Sequence, residues 1–75
     1  MIDSGWISIV DSKSENLIPL FDISVIRIVS YSSDSHDVEV SMKNGVTLGF
    51  QFDGNDSKEK SSAAYKELTD GVLGL

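Results

Sequence analysis

The sequence predicts an α+β fold: an antiparallel sheet of four to five strands with one C-terminal helix packed across one face. Three observations carry this. Between His36 and Phe52, Val38, Val40 and Met42 alternate with Glu39 and Ser41, while Val46, Leu48, Phe50 and Phe52 alternate with Thr47, Gly49 and Gln51. Period two is the mark of half-buried strands. Asn44-Gly45 divides the two runs, as in a tight hairpin. From Ser57 the period changes: Ala64, Tyr65, Leu68, Val72 and Leu75 recur at helical spacing.

The hairpin register can be read from its letters. A two-residue loop would set Met42 against Thr47 and Ser41 against Leu48, mixing apolar with polar. A three-residue loop, Lys43-Asn44-Gly45, sets Met42 against Val46, Val40 against Leu48 and Val38 against Phe50. Only the second register keeps the apolar side chains on one face. Gly45 then takes the left-handed position that closes a type I turn with a bulge.

Upstream, Trp6 to Val10 reads as a strand of β-branched and aromatic residues. Residues 11–16 form a polar turn, and Leu17 to Phe21 a short strand. Pro19 has no N–H for a ladder, so that strand lies at an edge or ends there. Ile23 to Tyr31 is a longer strand whose faces do not separate. Ile23, Val25, Arg27, Val29 and Tyr31 fall on one side, Ile26 and Ile28 on the other. Either a bulge near Val25-Ile26 switches the faces, or both sides are covered. Residues 30–37 read as a polar exposed loop. After Asp53-Gly54-Asn55, Asp56 and Glu59 form a capping box for the helix, and Gly71 and Gly74 loosen its last turn. The expected core is Ile7, Ile9, Ile26, Ile28, Val38, Val40, Met42, Leu48, Phe50, Phe52, Ala64, Leu68 and Val72.

Seventy-five residues make one domain, residues 1–75. A chain of this size buries about 60% of its unfolded surface, so its core is marginal. The absence of cysteine excludes disulfides and thiolate zinc sites, which leaves self-association as the expected support. A net charge of −6, with six scattered basic residues, argues against direct nucleic-acid binding. No apolar run approaches the roughly 20 residues of a membrane span. Residues 1–5 lack the basic and apolar regions of a signal peptide, so a soluble cytoplasmic protein is expected.

No constellation of residues carries chemistry. His36, the only histidine, lies between Asp34 and Asp37 and reads as a solvated loop residue without further metal ligands. Thirteen serines are accounted for by turn chemistry; no Gly-x-Ser-x-Gly elbow is present. Asp53-Gly54-Asn55-Asp56 lacks the ligand series of a calcium loop, and the glycines form no phosphate cradle. No cofactor or metal is expected, and no catalytic residue. Trp6, Arg27 and Tyr31 are of the types enriched at binding hot spots and are the candidate interaction residues.

From Leu17 onward the order of features resembles the C-terminal half of bacterial pleckstrin-homology-like small domains, a family of unknown function. The matching letters are Ile18-Pro19-Leu20, Ile23, Ile26-Arg27-Ile28, Asn44-Gly45, Phe50-Gln51-Phe52 and residues 63–73. The resemblance implies a protein-interaction scaffold without catalytic residues. The basic loop of a lipid site is missing.

The expected function is a non-enzymatic protein-interaction module, a homodimer or the partner of another protein. The alternative is a small acidic inhibitor of phage or mobile-element type that occupies a basic nucleic-acid-binding surface on its target. Clustering of Asp34, Asp37, Glu39 and Asp53 on one face would favour the alternative. An enzyme or ligand binder ranks last, because a pocket in so small a core would have to form between subunits. Arg27, Tyr31 and His36 would be its polar lining.

Overall fold

The structure, a computed structural model, describes Ile2, Asp3 and residues 5–75. Among these, strands run at Ile2–Asp3 (β1), Trp6–Val10 (β2), Glu15–Pro19 (β3), Ile23–Ser32 (β4), Ser35–Met42 (β5) and Thr47–Asp53 (β6), followed by a helix at Ser57–Leu73 (α1). The class is α+β with antiparallel ladders throughout, and the C-terminal helix packs across a sheet. The strands are shared between two sheets, β1-β2-β3 and β4-β5-β6.

The second hairpin, β5–β6, takes the register that its alternation demands. Val38 faces Phe50 and Val40 faces Leu48. The Met42 N–H donates to the Val46 carbonyl (2.7 Å) and the Gly45 N–H to the Met42 carbonyl (3.0 Å). Gly45 has φ +91°, so the loop is the three-residue one. Val38, Val40, Met42, Phe50 and Phe52 all point into the core.

Strand β4 owes its mixed faces to bulges. Ile23 pairs with Met42 but Val25 pairs with Ser41, which leaves Ser24 as an extra residue; Tyr31 is a second extra residue between Ser30 and Ser32. The first bulge lies just before the expected Val25-Ile26. It returns Ile23 to the same face as Ile26 and Ile28.

Several boundaries differ from expectation. Residues 30–37 are not a loop: β4 continues to Ser32 and β5 begins at Ser35, with only Ser33-Asp34 between them. Short polar side chains tolerate an outward strand face as well as a loop, so their letters did not distinguish the two. The strand expected at Leu17–Phe21 covers Glu15–Pro19, and Leu20–Asp22 coils into a 3-10 turn. Pro19 does lie in an edge strand. The Leu20 N–H donates to the Gly5 carbonyl (2.7 Å) and the Asp11 N–H to the Ser14 carbonyl (3.0 Å). By alternation Pro19, opposite Trp6, sits where the ladder asks for no N–H.

The capping box does not form. Asp56 holds the N-cap position without a side-chain capping bond, and its carboxylate instead meets Lys60 at 3.2 Å. The helix buries Ser57, Ser61, Ala64, Leu68 and Gly71. Of the expected stripe, Ala64 and Leu68 are buried, Tyr65 and Val72 are half-buried and Leu75 is exposed. Small residues at the contact bring the helix close to the strands, and close packing selects for size as much as for apolarity. Gly71 therefore belongs to the contact, and the helix continues through it to Leu73.

The core gains Ile18, Leu20 and Ile23 beyond the expected set. Ile26, Leu48 and Val72 pack at its margin, and Ile28 remains 37% exposed because β4 is an edge strand.

The tip of the first hairpin, β2–β3, covers the Gln51–Asp53 end of the far edge of the second sheet. The Ser12 N–H donates to the Gln51 carbonyl (2.8 Å). The Gln51 N–H donates to Asp11 Oδ2 (3.0 Å), and the Asp53 N–H to Ser12 Oγ (3.0 Å). Partial burial acts to raise the Asp11 carboxyl. The backbone N–H groups of Lys13, Ser14 and Gln51, with the Ser14 side chain, outweigh it and hold the group below its ordinary value. A depressed folded value means that Asp11 stabilises the fold above the unfolded value, about 3.9. This stabilisation is lost as pH falls from there through the folded value. Acid unfolding of the parent should therefore be steeper below about pH 4 than that of Asp11→Asn. Parallel acid limbs for the two proteins would contradict this role.

Candidate functional site

The two edges of the second sheet differ. The hairpin tip bonds to Gln51 and Asp53 of β6, whereas among the described residues β4 pairs only with β5. Hydrogen-bonded pairs alternate along an antiparallel ladder. The Met42–Val46 bond assigns His36, Val38, Val40 and Met42 to bonding with β6, which leaves Asp37, Glu39 and Ser41 to bond with β4. Arg27 pairs with Glu39 and Val29 with Asp37. The N–H and C=O groups of Ile26, Ile28 and Ser30 therefore point away from the sheet, into the open edge. Bulges at Ser24 and Tyr31 bound this regular stretch.

The face of β4 turned away from the helix carries Val25, Arg27, Val29 and Tyr31. Arg27 is exposed, and its Nε donates to Oε1 of Glu39 in its own chain at 2.6 Å. Tyr31 is 62% exposed. The negative charge of Asp37 raises its hydroxyl above the ordinary tyrosine value; desolvation, Glu39 and a hydrogen bond to Asp37 add to this, and Arg27 opposes it. Arg27 and Tyr31 thus share one surface. Trp6, 43% exposed, lies on the outward face of the other sheet.

Asp37, Glu39 and Asp53 occupy equivalent alternating positions and share the outward face of the second sheet. Gln51 joins them, its side-chain amide donating to both Asp53 oxygens (3.1 and 2.9 Å). Asp34 lies at the neighbouring turn, where its carbonyl accepts the Gly54 N–H (2.9 Å).

His36 corrects the sequence reading. It is 5% exposed and lies inside, with Nδ1 2.7 Å from Oγ of Ser57. Beginning β5 at Ser35 puts His36 in phase with Val38, Val40 and Met42. The contact has the composition of a catalytic pair, but Ser57 has no exposed surface, so no substrate can reach its hydroxyl. The pair ties the first turn of α1 to β5.

A groove of about 560 Å³ runs between β2 and α1, lined by Ile9, Val10, Phe52, Lys60, Ala64 and Glu67 among others. It is an open surface groove within one subunit, not a cavity in the core. Arg27, Tyr31 and His36 are not in its lining.

No family model, curated protein or solved structure matches this chain. Among the described residues no group of three or more His, Asp or Glu gathers to hold a metal ion, and no helix is long and apolar enough to cross a membrane.

Proposed function

We propose that this protein is a non-enzymatic protein-interaction module of the cytoplasm that associates with itself. The supporting observation is the number of large apolar side chains left in solvent around a small core. Trp6, Val10, Leu17 and Phe21 are exposed on or beside the first hairpin, and Val25, Ile28 and Tyr31 on β4. Contiguous apolar patches on small soluble domains mark interaction surfaces. The pleckstrin-homology-like pattern of the sequence carries the same reading. Sedimentation velocity over a wide concentration range tests it. The average mass should rise toward the dimer, and the monomer mass at every concentration would refute self-association.

Arg27→Ala separates association from folding. Its exposed pair with Glu39 contributes at most about 1 kcal/mol to the fold. The variant should keep a near-parental melt while its dimer dissociates at lower dilution; an unchanged oligomer distribution would reduce Arg27 to a surface residue.

The outward acidic face favours one second reading, an inhibitor that covers a basic nucleic-acid-binding surface. Asp37, Glu39 and Asp53 on one sheet face provide the complementary charge. On this reading the protein displaces DNA from its target, and Asp37→Asn with Asp53→Asn abolishes displacement without unfolding the domain. Full displacement by that variant would exclude it.

A further inference from the structure

The geometry points to the open edge of β4 as the place where a second copy of this chain pairs, strand to strand and antiparallel, about a twofold axis at Ile28. This rests on the self-association proposed above and names its surface.

An edge strand with unpaired backbone groups is a template for another strand. In the second sheet the longest such stretch is on β4; on β6, among the described residues, only Thr47 and Gly49 are left in this condition. At the β6 edge, the Asp11-Ser12 tip meets backbone groups of Gln51 and Asp53. At the β4 edge, among the described residues, no other backbone or side chain bonds to the outward groups of Ile26, Ile28 and Ser30.

The sequence of the edge then selects its occupant and register. Outward-pointing groups lie on even-numbered residues, so a twofold pairing must set even residues against even. Pairing about Arg27 would place two guanidinium groups directly opposite each other, which is destabilising. Pairing about Val29 would run the ladder across the bulge at Tyr31 and set Ile28 against Ser30. Pairing about Ile28 avoids both. It sets Ile28 against its own copy and Ile26 against Ser30, and it meets every outward N–H and C=O of these three residues within the regular stretch. Ile28, left 37% exposed, is covered on the axis.

Charge favours the same register. Arg27 falls beside the partner's Val29, whose own neighbour in the sheet is Asp37. Each guanidinium then lies between its own Glu39 and the partner's Asp37, about 10 Å away across two strand spacings. The contact is isologous, as closed dimers require. A five-residue edge is small beside the ~1,200–2,000 Å² of stable interfaces, so the dimer dissociates on dilution.

Amide hydrogen exchange read by NMR, alongside sedimentation, decides the matter. With rising concentration the amides of Ile26, Ile28 and Ser30 should gain protection, while those of Arg27 and Val29, bonded to β5, stay protected at every concentration. Ile28→Lys should shift the monomer–dimer midpoint by about tenfold or more with little change in melting. The chain has no cysteine, so a single Ile28→Cys thiol should cross-link the dimer under oxidation, and Arg27→Cys should not. Facing Cα atoms in such a pair lie about 5.5 Å apart, within disulfide reach. A dimer whose even-numbered amides gain no protection overturns this edge and leaves the interaction-module reading standing. Faster cross-linking at Arg27→Cys overturns the register. A monomer at every soluble concentration overturns the self-association on which both rest. The exchange pattern of the parent decides alone if Ile28→Lys fails to fold.

Discussion

Phe50→Ala should lower the unfolding free energy by about 3–5 kcal/mol, the usual cost of emptying a buried aromatic site. The ring is nearly fully buried, directly across the ladder from the fully buried Val38. A domain of 75 residues has roughly 4–11 kcal/mol of stability in total. The variant should therefore melt on the order of 20 °C lower and be partly unfolded at physiological temperature. Phe50→Leu, which keeps most of the volume, should recover most of the difference. Urea titrations of the three proteins measure this directly. A loss below about 1 kcal/mol for the alanine variant would show that the ring is not packed as the structure has it.

His36→Ala should cost about 2–4 kcal/mol, from two sources. The ring leaves a cavity beneath the first turn of α1. The Ser57 hydroxyl, fully buried and bonded to the ring, loses its partner, which by itself costs about 1–3 kcal/mol. Ser57→Ala should cost less, because it removes the smaller group. The double variant should cost less than the sum, since neither polar atom is then left alone. This shortfall in the double-mutant cycle measures the bond; strict additivity would show that the two side chains do not interact.

Much of the fold was legible because one side of the second hairpin is buried. Where alternation met water on one face and core on the other, as from Val38 to Phe52, the letters determined register, loop length and the left-handed glycine. Legibility failed where size or position mattered more than polarity. Ser57, Ser61 and Gly71 carry no apolar signal, yet they form the helix contact because they are small. His36 looked solvated between Asp34 and Asp37, although the phase of Val38 and Val40 extended back by one step includes it. Ile28 looked buried because a sequence does not show which strand lacks a neighbour. For the candidate surface, Arg27 and Tyr31 were recognisable by type and do share a face. Which sheet edge stays open over the longer stretch was not recognisable, because part of β6 is covered through Asp11, whose carboxylate accepts a hydrogen bond from the Gln51 N–H forty positions away.

That distant contact bears on the order of folding events. The β4–β5 and β5–β6 ladders join chain neighbours through short turns, and such local pairings close at little entropic cost. Docking the Asp11-Ser12 tip on Gln51 and Asp53 closes a loop of about forty residues, a cost that grows with loop length. The tip should therefore arrive after the rate-limiting barrier. Asp11→Asn would then accelerate unfolding and leave the folding rate almost unchanged. The same lateness leaves the β6 edge uncovered while the rest of the sheet is already assembled, so the nascent sheet passes through a stage with two sticky edges. How long it stays there, set by the attachment of one aspartate and one serine, governs how readily the chain aggregates while folding.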